Sequence, residues 1–162
     1  MTSENQEPPL PYSVQPSRED VERVRRLAAA DHGLAVLSTL RQDATIHCSV
    51  VNAGVLHHPL TGRPAVALVA IGGSRKLAHL RRRPRATIVF RAGWQWVAVE
   101  GPTSLVGPDD SLKGLDPSRI RQLLRDIFTA AGGTHDDWAT YDRVMAEERR
   151  TAVFLEMERV YS

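Results

Sequence analysis

Three apolar segments follow one another between Leu34 and Ile71, and their connections are too short to hold a crossover helix. Leu34–Leu40 and Thr45–Val55 are separated by Arg41-Gln42-Asp43-Ala44, which reads as a hairpin turn, and 57–63 links the second segment to Pro64–Ile71. Parallel strands need a connection of a dozen residues or more, so these strands pair antiparallel. Ala86–Arg91 and Trp96–Val106 repeat the pattern across Gly93-Trp94-Gln95, with Gly101-Pro102 expected at a bend or bulge, and Thr151–Tyr161 closes it as a sixth strand.

Helices surround these strands. Ser17-Arg18-Glu19-Asp20 resembles a capping box with a shorter acid. Val21, Val24, Leu27 and Ala28 follow at helical spacing, up to a stop at Gly33. A short helix over about 75–83 has Leu77 and Leu80 on its buried side and ends at Pro84. Asp116-Pro117 opens a helix with the stripe Ile120, Leu123, Leu124, Ile127 and Phe128; Thr134-His135-Asp136-Asp137 caps another, on which Trp138, Tyr141 and Met145 recur. The expected architecture is mainly β, a small six-stranded antiparallel barrel with peripheral helices. Residues 1–16, with four prolines, read as a flexible arm on which Tyr12 and Val14 could dock, and 17–162 as one domain.

Composition narrows the function. The polar, acidic N-terminus is unlike a signal peptide, and no apolar run approaches the roughly 20 residues of a membrane helix. The single cysteine, Cys48, excludes an intramolecular disulfide and a multi-cysteine zinc site. A cytoplasmic protein away from membranes is the expectation. The net charge of +2 is unevenly placed: Arg75, Lys76, Arg81, Arg82, Arg83 and Arg85 form one basic segment free of acids. Without them 15 of the 21 cations remain against 19 acids, a balance of −4. General nucleic-acid affinity spreads positive charge over more surface, so a local anion site fits better.

Gly72-Gly73-Ser74-Arg75-Lys76 is the most informative stretch. Glycines admit close backbone approach, and a helix start presents unpaired N–H groups and a positive dipole end. Cations in the first turn oppose that dipole unless an anion compensates. Phosphate binding and a solvated basic helix capped by Ser74 both fit. Arg81-Arg82-Arg83, at the other end, complement the dipole and read as structural. His57-His58 lacks a third ligand for a metal. His47 and Cys48 form no recognisable nucleophile pair, His79 reads as helix surface, and Asp136-Asp137 as capping. No metal site is expected, and the sequence leaves the catalytic residues unidentified.

Gly-Ser-Arg-Lys, a short helix, and then Arg83-Pro84-Arg85-Ala86-Thr87-Ile88-Val89-Phe90 resemble the pyridoxamine 5′-phosphate oxidase-like split-barrel superfamily. The Leu34–Val51 hairpin and Trp96-Val97-Ala98-Val99-Glu100-Gly101 match the same order, and the resemblance spans about residues 20–161. The nearest flavour is the small oxidoreductases that use the deazaflavin coenzyme F-420, with FMN in their relatives. The resemblance implies a split barrel, a homodimer with cofactor sites at the subunit interface, and hydride transfer with a small organic substrate. F-420 is preferred and FMN is the alternative; a non-catalytic cofactor carrier is a third reading. By motif, Arg75 and Lys76 hold the cofactor phosphate and Ser74 adds a hydroxyl. Val69 and Ala70 approach the cofactor, and Ser49, Val50, Val51 and Asn52 lie beside the ring through backbone groups. Trp96 either stacks on a ring or is a barrel aromatic. Two departures exclude pyridoxamine-phosphate oxidation from the expectation. His47-Cys48-Ser49-Val50-Val51-Asn52 replaces the oxidases' Arg-x-x-x-Leu-Lys, and the chain stops at Val160-Tyr161-Ser162 without their arginine–histidine motif.

Overall fold

The computed structural model describes residues 15–162, so most of the expected 1–16 arm, with Tyr12 and Val14, lies outside the described residues. Helix α1 (Arg18–Ala30) starts at a true capping box. The Ser17 hydroxyl accepts from the Asp20 N–H at 3.1 Å, and the Asp20 carboxylate accepts from the Ser17 N–H at 3.0 Å. Strands β1 (Leu34–Leu40), β2 (Ile46–His57) and β3 (Pro64–Ala70) run antiparallel in succession, followed by α2 (Arg75–Arg82), β4 (Arg85–Ala92) and β5 (Gln95–Val106). A 3-10 turn, Pro117–Arg119, capped by Asp116, leads into α3 (Ile120–Ala130). Helix α4 (Trp138–Glu147) starts at Asp137, whose carboxylate accepts from the Thr140 N–H at 3.0 Å. Strands β6 (Thr151–Glu156) and β7 (Arg159–Tyr161) end the chain.

The strands close in the order β1-β2-β3-β6-β5-β4 and back to β1, every pairing antiparallel: a six-stranded barrel with four helices around it. Its interior holds Leu37, Val66, Leu68, Ile88, Phe90, Val99 and Leu155, with Leu77 and Leu80 of α2 and Val24 and Leu27 of α1 at the margins. A second apolar layer covers the outside of β3 and β6, where Leu124 and Ile127 of α3 and Tyr141 of α4 pack on Ala65, Ala67, Ala152 and Phe154. That is why β6 is buried on both faces. Among the described residues no helix is long and apolar enough to cross a membrane.

The final strand departs from expectation. Thr151–Tyr161 is not continuous; it divides at Met157-Glu158 into β6 and β7, both paired with β5. Thr103 faces Leu155 and Glu100 faces Arg159, so three residues on the outer strand oppose two on β5: a β-bulge. Gly101 permits it, since a Cβ there would stand 1.8 Å from the Glu156 carbonyl oxygen. The irregularity expected at Gly101-Pro102 thus resides in the strand opposite.

His58 is buried and committed to the fold. Its Nδ1 accepts from the Leu60 and Thr61 N–H groups at 3.2 Å each, so Nε2 carries the proton and donates to Ser104 Oγ at 3.1 Å. His57 Nδ1 lies 3.2 Å from the Gly62 carbonyl. Among the described residues, no three His, Cys, Asp or Glu side chains group to hold a metal. Burial, partly offset by Glu156, holds the His58 pKa below its ordinary 6.5. A histidine depressed in the folded state contributes stability that is complete above 6.5 and lost as pH falls below it. In urea titrations, the stability difference between wild type and His58→Phe is therefore expected to narrow as pH drops through that range. A difference independent of pH would contradict this assignment.

Candidate functional site

The barrel is split on one side. β2 pairs with β1 over residues 46–52 and with β3 only from Ala53 onward, so the first half of β2 has one edge open. Ala53 donates its N–H to Gly33 O, on the β1 side, at 2.8 Å. Alternation then turns the N–H and C=O of Val50, and the N–H of Asn52, toward the open edge, while the Asn52 C=O belongs to the first rung with β3.

The loop after β3 brings the basic segment to this opening. Gly72 donates its N–H to Glu148 O at 3.0 Å, and a Cβ on Gly72 would meet Arg149 Cβ at 2.7 Å, so the loop lies tightly on the turn after α4. Ser74 is the N-cap of α2, yet its side chain makes no capping bond and its buried Oγ has no partner among the described residues. Ser49 Oγ on β2 is buried and unpartnered in the same way. No acid occupies the first turn of α2.

The six cations of this segment divide clearly. Arg81 forms a two-pronged pair with Asp110 at 2.8 and 2.6 Å, and Arg85 one with Glu158 at 3.2 and 3.0 Å. Arg82 donates to Gln42 Oε1 and Arg83 to Gln42 O. Arg75 and Lys76 have no hydrogen-bond or ion-pair partner among the described residues. The two cations beside the helix start are thus the two left uncommitted.

A cavity of about 530 Å³ opens between the barrel and helices α3 and α4. Val50, Val51, Asn52, Val69, Ala70 and Lys76, all singled out from the sequence, line its barrel side. Ser74 and Arg75 adjoin Lys76 in the chain, and Ser49 adjoins Val50. Trp96 is not brought to the cavity. It lies on the outer face of β5, 42% exposed and edge-on to Tyr161 at 6.3 Å. The opposite wall was not anticipated: Phe128 and Ala131 of the α3 end, His135, Tyr141, Val144 and Met145, with Arg150 at the next turn. Phe128, His135, Trp138 and Tyr141 stand edge-on or tilted to one another, their ring centroids 5.0–6.2 Å apart. The signal for this wall was present in the sequence as that concentration of rings over 128–141.

His79 differs from its expected surface position. It is half-buried at the barrel mouth, with Nδ1 2.9 Å from Thr39 Oγ1 and its ring edge-on to His47 at 5.2 Å. Desolvation first, and then the charges of His47, Arg41, Arg82 and Arg75, push its pKa down. Cys48 is exposed, on the strand face opposite His47, and its Sγ lies 3.4 Å from Ser38 Oγ.

No family model matches the chain, and no curated protein matches it in sequence. Its fold, however, recurs among solved structures. A pyridoxamine 5′-phosphate oxidase-related, FMN-binding protein from Nostoc punctiforme superposes with a TM-score of 0.56 at 16% identity, over 88% of this chain and 78% of that one. An F-420 reductase does so with a TM-score of 0.53 at 11% identity, over 79% and 88%. A heme binding protein from Mycobacterium smegmatis gives 0.57 at 20% identity, over 91% of this chain and 54% of the other. At such identities these likenesses show the fold alone, a split β-barrel.

Proposed function

We propose that this chain, built on the split-barrel fold of the pyridoxamine 5′-phosphate oxidase-like superfamily, is an oxidoreductase holding coenzyme F-420, with FMN as the alternative, in the split of its barrel. The observation that supports it most is the meeting of an open strand edge with an uncommitted anion site. Arg75, Lys76 and the unpartnered Ser74 hydroxyl suit a phosphate. The N–H and C=O of Val50 and the N–H of Asn52 suit the donor–acceptor edge of the pyrimidine ring that flavins and deazaflavins share. Val69 and Ala70 floor the groove, and Ser49 Oγ offers one more hydroxyl. The bound cofactor supplies the hydride chemistry; this chain binds it, orients it and shields it from water. That division of labour agrees with the lack of a recognisable acid–base pair. The substrate is a small organic molecule, and we place the protein in the cytoplasm, the setting that suits its single unpaired thiol.

Parallel fluorescence titrations with F-420 and with FMN test this reading. Tight binding of F-420 is expected; binding of FMN alone moves the assignment to the alternative, and binding of neither overturns it. Turnover of the reduced cofactor with a substrate separates an enzyme from a carrier.

The proposal includes a homodimer. Five of the eight large hydrophobic residues exposed among those described, Leu34, Val36, Ile46, Val50 and Trp96, lie on one outer face of β1, β2 and β5. The register runs Val50–Val36–Val89–Ala98 across that face. A contiguous apolar surface that also borders the cavity through Val50 suits a second copy of the chain. Val36→Glu is expected to turn a dimer into a folded monomer by analytical ultracentrifugation. A wild-type chain that sediments as a monomer would remove this part of the proposal.

A further inference from the structure

The cavity's polar groups are almost all spoken for. Asn52 Nδ2 donates to His32 O at 2.8 Å, Thr140 Oγ1 to Asp137 Oδ2 at 2.6 Å and Tyr141 OH to Leu124 O at 3.0 Å. Arg150 Nε donates to Glu148 Oε2 at 2.6 Å. No aspartate or glutamate lines the space. Beyond the open backbone edge, the side-chain donors that remain are the Lys76 ammonium, already assigned to phosphate, the outer guanidinium N–H groups of Arg150, whose charge Glu148 balances, and one nitrogen of His135.

The His135 tautomer follows from its turn. Nδ1 accepts the Asp137 N–H at 3.0 Å and so carries no proton. In the neutral ring the proton is therefore on Nε2, which has no acceptor among the described residues. The ring is held by Tyr141 at 5.6 Å and Trp138 at 5.9 Å, so the donor sits on a fixed support. Around it the wall is aromatic and aliphatic, from Phe128, Tyr141, Val144 and Met145.

We infer that this wall is the substrate half of the site, and that it takes a flat, uncharged, largely apolar molecule with one hydrogen-bond-accepting oxygen, which His135 Nε2–H recognises. The inference rests on the cofactor reading above only in calling the ligand a substrate. An uncharged ligand follows from the inventory: a cation meets no acid here, and an anion competes with the cofactor phosphate for Lys76 or with Glu148 for Arg150. Flatness follows from the ring-lined wall, and the single acceptor from His135, whose Nε2–H is the one uncommitted donor among those rings. His135 acts here as a specificity-determining residue.

The probes are 1-indanone and indane, near-equal in shape and differing by one carbonyl, titrated calorimetrically into cofactor-free protein. 1-Indanone is expected to bind more tightly than indane. In His135→Asn the amide oxygen can keep the Asp137 bond, but the distal donor is gone. 1-Indanone affinity is expected to fall roughly 2- to 12-fold, the worth of one neutral hydrogen bond, with indane unchanged. His135→Gln, with an amide N–H near the Nε2 position, is expected to restore part of the loss. Equal weakening of both probes, no binding of 1-indanone, or its displacement by saturating F-420 or FMN would overturn the inference. Displacement would assign the space to the cofactor ring instead. If 1-indanone binds as expected while neither cofactor binds, the oxidoreductase reading fails and the carbonyl site stands.

Discussion

Replacing Lys76 with alanine is expected to weaken F-420 or FMN binding by roughly 10- to 150-fold, the worth of one hydrogen bond to a charged group. The expectation rests on what the other cations are doing. Arg81 and Arg85 are spent on carboxylates, and Arg82 and Arg83 on the β1–β2 turn, whereas Lys76 is half-buried at the cavity and uncommitted. Arg82→Ala, which loses only its contact with Gln42, is expected to leave affinity nearly unchanged. The thermal midpoint sharpens the test. A cation in the first turn opposes the helix dipole, so Lys76→Ala is expected to melt at the same temperature as wild type or slightly higher. Equal affinities for the two proteins would remove phosphate from Lys76. A marked drop in melting temperature would make its role structural.

Gly54→Ala is expected to destabilise the protein by about 3 kcal/mol, at the upper end for an overpacked core position. An added Cβ would lie 2.3 Å from the Ala130 carbonyl carbon and 2.5 Å from its oxygen, and neither is a side chain that can swing aside. The end of α3 rests directly on β2 at this glycine, and Phe128 and Ala131, on or beside that last turn, line the cavity. The substitution therefore acts on stability and on the site together. Urea denaturation is expected to show a lower midpoint with an unchanged slope. The residual folded protein is expected to bind 1-indanone less well. Wild-type stability would mean that α3 does not seat on Gly54.

What could be read from the sequence was what neighbouring residues decide among themselves. The α1 cap needs only Ser17 and Asp20, three residues apart, and the β1–β2 hairpin needs only a short turn between two apolar runs. Ser74-Arg75-Lys76 stood out for the same reason, being consecutive, and the structure brings Lys76 to the cavity. The bulge was legible only as an irregularity at Gly101-Pro102 and not as the break between β6 and β7, because Gly101 and Glu156 meet only once the sheet has formed. Phe128 and Tyr141 read as helix stripes facing a core. Tyr141 is indeed buried, but the same faces also bound a cavity, and periodicity does not distinguish a wall from a filling. His79 read as surface because Thr39 and His47, which enclose it, lie more than 30 residues away.

The open edge of β2 has another consequence. A strand with nothing paired to one side is a template on which other extended chains can add. Here it is flanked by Ile46 and Val50, exposed in the single chain, so a cofactor-free chain without its second copy would carry its aggregation hazard in the groove proposed for its ligand. On the proposed function, cofactor loading would double as protection. Purified without ligand, the protein is expected to lose solubility on storage through self-association at this edge. A small molecule that covers the Val50 and Asn52 amides would slow that loss even if it never turned over.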